Sequence, residues 1–275
     1  MSFDFTVSAS IVLYKSSTET RKSILDFLNT NLLVQLFLVD NSPTSQLENE
    51  LADLLIDKRV TYIFNNKNLG YGAGHNVAMR QILNTSAYHL VLNPDVSFEK
   101  GTIEKLVDFA EKNTGIGLLT PKVLYPNGTV QHVCKLLPTP FDLLFRRFLP
   151  ISFTKKRMEI FELHKSGYDR IFQAPYIHGC FMFIRTAALK KVGLFDERFF
   201  MYPEDIDLTR RIHQHYKTVF YPEVEIVHAH ARESYKSFKL FYIHIVNMIK
   251  YFNKWGWFFD KERKKVNKKI LEQFE

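Results

Sequence analysis

The side chains best suited to chemistry in this sequence stand where apolar runs end. In "LVLNPDVSF", residues 90–98, a core-like run stops at Asn93-Pro94-Asp95. Asp95 reads in two ways, as a turn residue or as a ligand for a hard divalent cation, which prefers carboxylate oxygen. Asn93 can hydrogen-bond nearby but adds no charge. One carboxylate makes a cation site when a bound phosphate completes the coordination sphere. "VDNS" at 39–42 places Asp40 and Asn41 at another such end, and "NKNLGYGAGHN" at 66–76 sets three glycines among asparagines. These glycines permit tight turns and close ligand approach, and Asn76 suits a helix cap. Their spacing matches neither the dinucleotide fingerprint nor the phosphate-binding P-loop.

Further along, "FDERFFMYPEDIDLTRRIHQH" at 195–215 gathers Glu204, Asp205 and Asp207 behind Pro203. Acids in a first helical turn complement the helix dipole, and Asp207 and Arg211, four apart, can pair on one face. Crowded carboxylates also repel one another, which raises a pKa and makes a general base. In "EVEIVHAHARES" at 223–234, His228 and His230 alternate on a strand beside Arg232. That pattern suits metal or phosphate binding, or simply a structural histidine pair.

The elements that must hold these residues alternate. "TVSASIVLY" at 6–14, "LFLVD" at 36–40, "VTYIF" at 60–64 and "YHLVL" at 88–92 read as strands, with helical spacing over 18–31 and from 74 onward. Alternation of strand and helix predicts an α/β fold with a mixed, mostly parallel, Rossmann-like sheet flanked by helices. In such sheets ligands bind beyond the carboxyl ends of the strands, and the polar clusters fall there. A helix is expected at 101–112, then a strand and a turn at Pro126-Asn127-Gly128. Residues 136–172 lose the alternation and carry the basic clusters Arg146-Arg147 and Lys155-Lys156-Arg157, and order resumes with a strand and short helix at 180–193.

Composition narrows the class. At 275 residues, with 46% hydrophobic content and only Cys134 and Cys180 as cysteines, the chain suits one large core in a reducing compartment. The opening residues lack a secretory pattern, and no apolar window is long enough to span a membrane. The formal charge is +8, and residues 210–275 alone hold 14 Lys/Arg against 7 Asp/Glu. An anionic partner for the tail follows: a lipid surface, a nucleic acid or a lipid-linked phosphate. Within it, Phe238, Phe241, Ile245, Met248 and Phe252 recur at helical spacing, which fits packing on the core, a dimer seam or a membrane surface. Trp255, Trp257 and Phe258 beside lysines resemble an interfacial anchor.

Taken in order, these motifs resemble a family 2 glycosyltransferase of GT-A fold, in its bacterial rhamnosyltransferase-like branch, over roughly residues 7–232. Tyr14, Asp40 and Asn41 resemble the family's nucleoside-contacting strand ends. Asn68, Gly70, Gly74 and Asn76 resemble its asparagine–glycine loop, and Asn93-Pro94-Asp95 stands at its metal motif. His178-Gly179, Gly193–Glu197 and Glu204–Leu208 resemble its acceptor-side signature, and His228 matches a late histidine near the metal or diphosphate. Two departures stand out: Lys15 replaces an asparagine common after the tyrosine, and Asp95 is the lone acid of the metal motif.

The resemblance implies a catalytic domain over 1–232, with a nucleotide-binding half at 1–100, an acceptor-side half at 101–232 and 136–172 as a variable insertion. A basic, aromatic helical region follows at 233–275. It implies Mn²⁺ or Mg²⁺ at Asp95 and His228. Donor contacts would come from Tyr14, Asp40, Asn41, Asn68, Gly70, Gly74, Asn76 and Asn93, and acceptor-side contacts from His178, Gly179 and Asp207. Asp205 would be the base of an inverting displacement, with Glu204 its rival. The implied donor is dTDP-rhamnose, with UDP-hexoses and UDP-N-acetylhexosamines open. The implied acceptor is a glycan on a polyprenyl diphosphate, met at the cytoplasmic face of a membrane through the C-terminal region. A sugar-phosphate nucleotidyltransferase and a nucleic-acid-binding module are the other readings, and no recognised nucleic-acid motif favours the latter.

Overall fold

The structure is a computed structural model and describes residues 3–15, 19–144, 149–229 and 238–275. Its first half runs β1 (Phe5–Leu13), α1 (Thr20–Leu28), β2 (Val34–Asp40), α2 (Gln46–Glu50), β3 (Val60–Phe64), α3 (Tyr71–Ile82), β4 (Ser86–Leu92), β5 (Val96–Phe98) and α4 (Thr102–Lys112). Next come β6 (Ile116–Leu124), β7 (Cys134–Lys135), α5 (Pro140–Leu143), α6 (Ile151–Phe161), β8 (Phe172–Gln173), β9 (Tyr176–Ile177) and β10 (Phe181–Arg185). The last elements are α7 (Thr186–Val192), α8 (Glu204–His213), β11 (Lys217–His228), α9 (Phe238–Trp255) and α10 (Lys261–Leu271).

The main sheet has the order β3-β2-β1-β4-β10-β6-β11-β5, with β8 added beside β11. Strands β3, β2, β1 and β4 are parallel, as are β6 and β11, while β10 runs against both its neighbours. This reversal matters for the site. Because β10 starts where β4 ends, with Phe181 opposite Leu92, the segment entering β10 arrives at the edge where the parallel strands finish. The carboxyl end of β11 reaches the same edge, where His228 pairs with Val96. The buried faces are near-continuous apolar runs in β1, β2 and β4, as a sheet covered on both sides requires.

The glycine loop folds differently from its sequence expectation. α3 begins at Tyr71, not near Gly74, so Asn76 lies in the second turn and caps nothing. Gly70 is left-handed at φ 88°, and a Cβ there would stand 2.3 Å from the carbonyl oxygen of Phe200. A Cβ at Gly74 would press on Val12 at 2.8 Å. Both positions are small because other parts of the protein close on them.

The tail divides. Met248, Tyr251 and Phe252 are buried in the main core, each contributing roughly 1.5–3 kcal/mol by removal from water, while Phe238 at the start of α9 is exposed. The helical stripe expected from 238 to 252 is therefore a core contact at one end only. Trp255 is no membrane anchor. Its indole Nε1 donates to Asp207 at 2.8 Å, and its ring lies 4.0 Å from the Arg210 guanidinium. Arg210 is buried and makes a two-pronged pair with buried Asp260, at 2.8 and 3.0 Å, which fastens the start of α10 to α8. Among the described residues no helix is long and apolar enough to cross a membrane.

Candidate active site

Asp95 sits on a corner between β4 and β5 that is held from behind. The Ser23 hydroxyl on α1 reaches the carbonyls of Pro94 and Val96, at 2.7 and 2.5 Å. The Asp95 carbonyl accepts the Ala229 amide at 3.0 Å, which ties the corner to the end of β11. Across it, Asp95 Oδ1 and His228 Nε2 are 3.3 Å apart. Burial of His228 opposes its charging, but Cys180 and Asp95 outweigh burial and raise its pKa to about 10, so a cation held here would take the place of the Nε2 proton. The Gln131 amide meets both Nδ1 of His228 (3.0 Å) and its backbone carbonyl (2.7 Å), which sets the ring orientation.

The pair fits a divalent cation. For metal–ligand lengths of about 2.0–2.6 Å, neighbouring ligands of an octahedron stand about 2.8–3.7 Å apart, a range that contains the Asp95–His228 distance. Oxygen and imidazole nitrogen are also the donor types Mn²⁺ accepts.

On the other side of the edge lies Asp205, at the start of α8. Its Oδ2 accepts the Gly179 amide at 2.9 Å and its Oδ1 accepts the Ile206 amide at 2.7 Å. Burial pushes its pKa up, against the pull of those two amides. Glu204 beside it is raised by burial and by the charge of Asp205, and its Oε2 is buried with no hydrogen-bond partner. The two acids thus favour holding a proton between them near neutral pH.

Tyr71 joins the two sides. Its hydroxyl shares its proton between the Gly179 carbonyl (2.6 Å) and Asn93 Oδ1 (3.0 Å), while Asn93 Nδ2 stands 3.3 Å from His228 Nε2. Burial first, then the charges of Cys180, Glu204, Asp205 and Asp95, keep the phenol protonated far above its ordinary range. A line of contacts therefore runs from Asp95 through His228, Asn93, Tyr71 and Gly179 to Asp205. The sequence motifs contain Tyr71 without marking it. A bulky phenol amid three glycines was the available signal.

Other expected residues are placed as follows. Asp40 is buried, with its oxygens taken by the Ser42 amide at 2.7 Å and the Tyr62 hydroxyl at 2.5 Å. Tyr14 is half-exposed at the end of β1, with the Lys15 ammonium 5.3 Å from its ring centroid. Asn41 bonds the Gly70 carbonyl (3.0 Å) and Asn65, while Asn68 accepts the Gly70 amide (2.9 Å). Both brace the loop. His178 lies with its ring centroid 6.2 Å from that of His228, and its Nδ1 accepts the Cys180 amide.

Two expected residues point elsewhere. Asn76 bonds the backbone of Phe195 through both ends of its amide, and Glu197 as well. It holds the 195–197 turn on α3 and is not open to a donor. Asp207 is fully buried and engages Arg211, Trp255 and Lys254. Two residues along a helix turn the side chain by about 200°, so Asp207 faces the tail when Asp205 faces Gly179. It is an anchor for α9 and not part of the acceptor side. His230 and Arg232 lie outside the described residues, as do Arg146 and Arg147. The group of three metal-capable side chains found among the described residues is His132, Glu162 and His164, a set the motifs did not suggest.

A mixed sheet whose strand ends carry a carboxylate–imidazole pair opposite a buried acid defines a GT-A glycosyltransferase fold. The fold is shared with GalNAc-T7 solved with UDP, GalNAc and Mn²⁺, at a TM-score of 0.61 and 14% identity over 82% of this chain and 43% of that one. A family model described as "Glycosyl transferase family 2" matches residues 8–193, and the chain belongs to that family. Among curated relatives, the N-acetylglucosaminyl-diphospho-decaprenol L-rhamnosyltransferase of Mycobacterium tuberculosis is 26% identical over 226 residues, 75% of this chain and 70% of that protein. The low-salt glycan biosynthesis hexosyltransferase Agl10 of Haloferax volcanii is 27% identical over 209 residues, 74% of this chain and 61% of that protein.

Proposed function

We propose that this chain is an inverting glycosyltransferase that moves L-rhamnose from dTDP-rhamnose to a hydroxyl of a glycan carried on a polyprenyl diphosphate. The observation that carries the reading is the line from Asp95 and His228 to Asp205 through Tyr71. It joins a pair suited to a cation to Asp205, one of two adjacent carboxyls raised by burial, across one strand edge. The name of the mycobacterial relative supports both the sugar and the lipid diphosphate.

In this reading Asp205 takes the proton from the acceptor hydroxyl. The acceptor oxygen forms its bond to the anomeric carbon, the bond from that carbon to the diphosphate breaks, and its electron pair leaves with the diphosphate. One displacement with one base inverts the anomeric centre. A divalent cation, Mn²⁺ or Mg²⁺, held by Asp95 and His228 would neutralise the charge on the departing diphosphate. Tyr71 keeps Asn93 and Gly179 in register, so that both sides of the site stay aligned. Tyr14, half-exposed at the end of β1, would face the nucleoside, with buried Asp40 bracing the strand end behind it through Ser42 and Tyr62.

Contact with a membrane belongs to the same reading, but through other residues than Trp255. Phe258 and Phe259 are exposed, Phe259 by 95%. They lead into α10, where Lys261, Lys264, Lys265, Lys268 and Lys269 are exposed too. Apolar tips next to cations suit the headgroup region of an anionic bilayer.

The test is calorimetry with dTDP-rhamnose, UDP-sugars and GDP-sugars, each with and without Mn²⁺. Metal-enhanced binding of dTDP-rhamnose alone is the expected result. Preference for a UDP-hexose would reassign the donor while keeping the transferase. Turnover of a sugar phosphate with a nucleoside triphosphate would replace it by a nucleotidyltransferase.

A further inference from the structure

A second cluster of metal-capable groups stands where the segment between β6 and β7 meets the turn that follows α6. There Gln131 turns to His228, whereas the ring of His132 stacks on that of His164 at 3.8 Å and meets Tyr168 edge-on at 4.9 Å. Glu162 lies between them in sequence and beside the stacked rings in space. Its Oε2 is 3.4 Å from Nε2 of His164, and ligand atoms of His132, Glu162 and His164 all lie within 4.8 Å of one another. All three residues are half-buried.

We propose that His132, Glu162 and His164 bind a transition-metal ion of zinc type, at a site additional to Asp95 and His228. Two imidazoles and one carboxylate are a donor set that such ions favour over hard cations. Around an ion with bonds of about 2.0–2.1 Å, tetrahedral neighbours stand about 3.3–3.4 Å apart, which is where Glu162 and His164 already are. The nearly parallel rings do not yet aim their in-plane lone pairs at one point, so binding would require His132 to rotate out of the stack, and the fourth position would fall to water.

Three features outside the ligands support the assignment. Leu163 is buried in the left-handed region at φ 54°, a conformation its Cβ disfavours, and this turn brings the side chains of its two neighbours together. Lys135 holds the other carboxylate oxygen of Glu162 at 3.0 Å, which orients the acid. Glu162 also caps the carboxyl end of α6, an 11-residue helix, where the helix dipole favours a cation. Behind the cluster, the buried Tyr168 hydroxyl reaches the Cys134 and Glu162 carbonyls at 2.7 and 3.0 Å. An ion here would clamp the 162–164 turn to the segment that carries Gln131 and pairs with β9 on the way to Gly179.

The experiment titrates Zn²⁺ by calorimetry into the full-length, tag-free protein in millimolar Mg²⁺, and records the visible spectrum with Co²⁺. Asp95→Asn serves as the control for the first site. One Zn²⁺ per chain and tetrahedral Co²⁺ bands are expected, kept in Asp95→Asn and weakened at least about tenfold in His132→Asn and His164→Asn. Zn²⁺ should also raise the melting temperature of the unaltered protein, a readout that stands if a variant folds poorly. Absence of binding and of any melting shift overturns the proposal, as does binding lost in Asp95→Asn but kept in His164→Asn. None of these outcomes depends on the donor or on transfer.

Discussion

Asp205 accepts the backbone N–H of Gly179 at 2.9 Å, while Tyr71 donates to the carbonyl of the same glycine at 2.6 Å. Gly179 is therefore gripped from both sides, and a Cβ there would lie 3.3 Å from the Tyr71 ring and 3.5 Å from the Asp205 Cβ. The acid's position is inherited from a backbone group, so its orientation survives changes in its own charge. That makes the chemistry of the carboxylate separable from its placement.

Replacing Asp205 by Asn keeps the side chain's size and removes the base, at the cost of one of the two hydrogen bonds from the Gly179 and Ile206 amides. Transfer should fall at least about a hundredfold with donor affinity nearly unchanged, read by steady-state rates beside donor calorimetry. In the unaltered protein burial raises the Asp205 pKa to about 7, so the ionised base gains population as pH rises through neutrality. The rate should climb on that limb and level above it, and Asp205→Asn should lose the limb. Transfer near the parent rate would remove Asp205 from the role.

Asp95→Ala should weaken donor binding in Mn²⁺ and leave the metal-free affinity almost unchanged. Calorimetry with and without the ion separates the two terms. If the variant binds and turns over as the parent does, Asp95 is a corner residue and nothing more.

Tyr71→Phe removes one hydroxyl that bridges Gly179 and Asn93. The loss of a buried hydrogen bond costs about 1–3 kcal/mol of stability. Maximal transfer rate should drop more than donor affinity, because the two sides of the site lose their common reference. Equal kcat in parent and variant would make Tyr71 a packing residue.

Glu204 has its folded pKa raised to about 8 by burial and by Asp205. The folded protein then holds a proton that the unfolded chain releases, so stability falls as pH rises from about 5 to about 8. Glu204→Gln cancels this loss. Its melting temperature should exceed the parent's, by a margin that widens between those pH values, and a constant margin would contradict the assignment.

The Arg210–Asp260 pair is buried and two-pronged. Asp260→Ala leaves a charge without its main partner inside the protein, at a cost of about 3–5 kcal/mol. Thermal unfolding should record that loss, together with faster proteolysis across α9 and α10. A melting point within a degree of the parent's would mean that the other contacts of the tail, among them buried Met248, Tyr251 and Phe252 and the pairs Trp255–Asp207 and Arg210–Glu262, suffice to hold it.

Much of the fold was legible in the residues. Continuous apolar runs ending in polar clusters identified β1, β2, β3 and β4 and the edge where their carboxyl ends gather, because those signals repeat within a few residues. Turn chemistry placed the corner at Asp95 for the same reason. The spacing of Phe238 to Phe252 likewise indicated a helix, but not which part of its face would be covered.

What tertiary structure alone decided is which side chains meet. Tyr71 and Gly179 are 108 positions apart, His228 and Asn93 135, and no local period relates either pair. The reversed direction of β10 is what carries His178 and Gly179 to the edge where β4 ends. Asp205 and Asp207 look alike in sequence, yet the helical turn sends one to Gly179 and the other to Trp255. Asn76 stands in a polar loop motif and is used up on the 195–197 turn. Local pattern sets which groups a chain offers to an edge, and long-range packing sets which of them remain there to do chemistry.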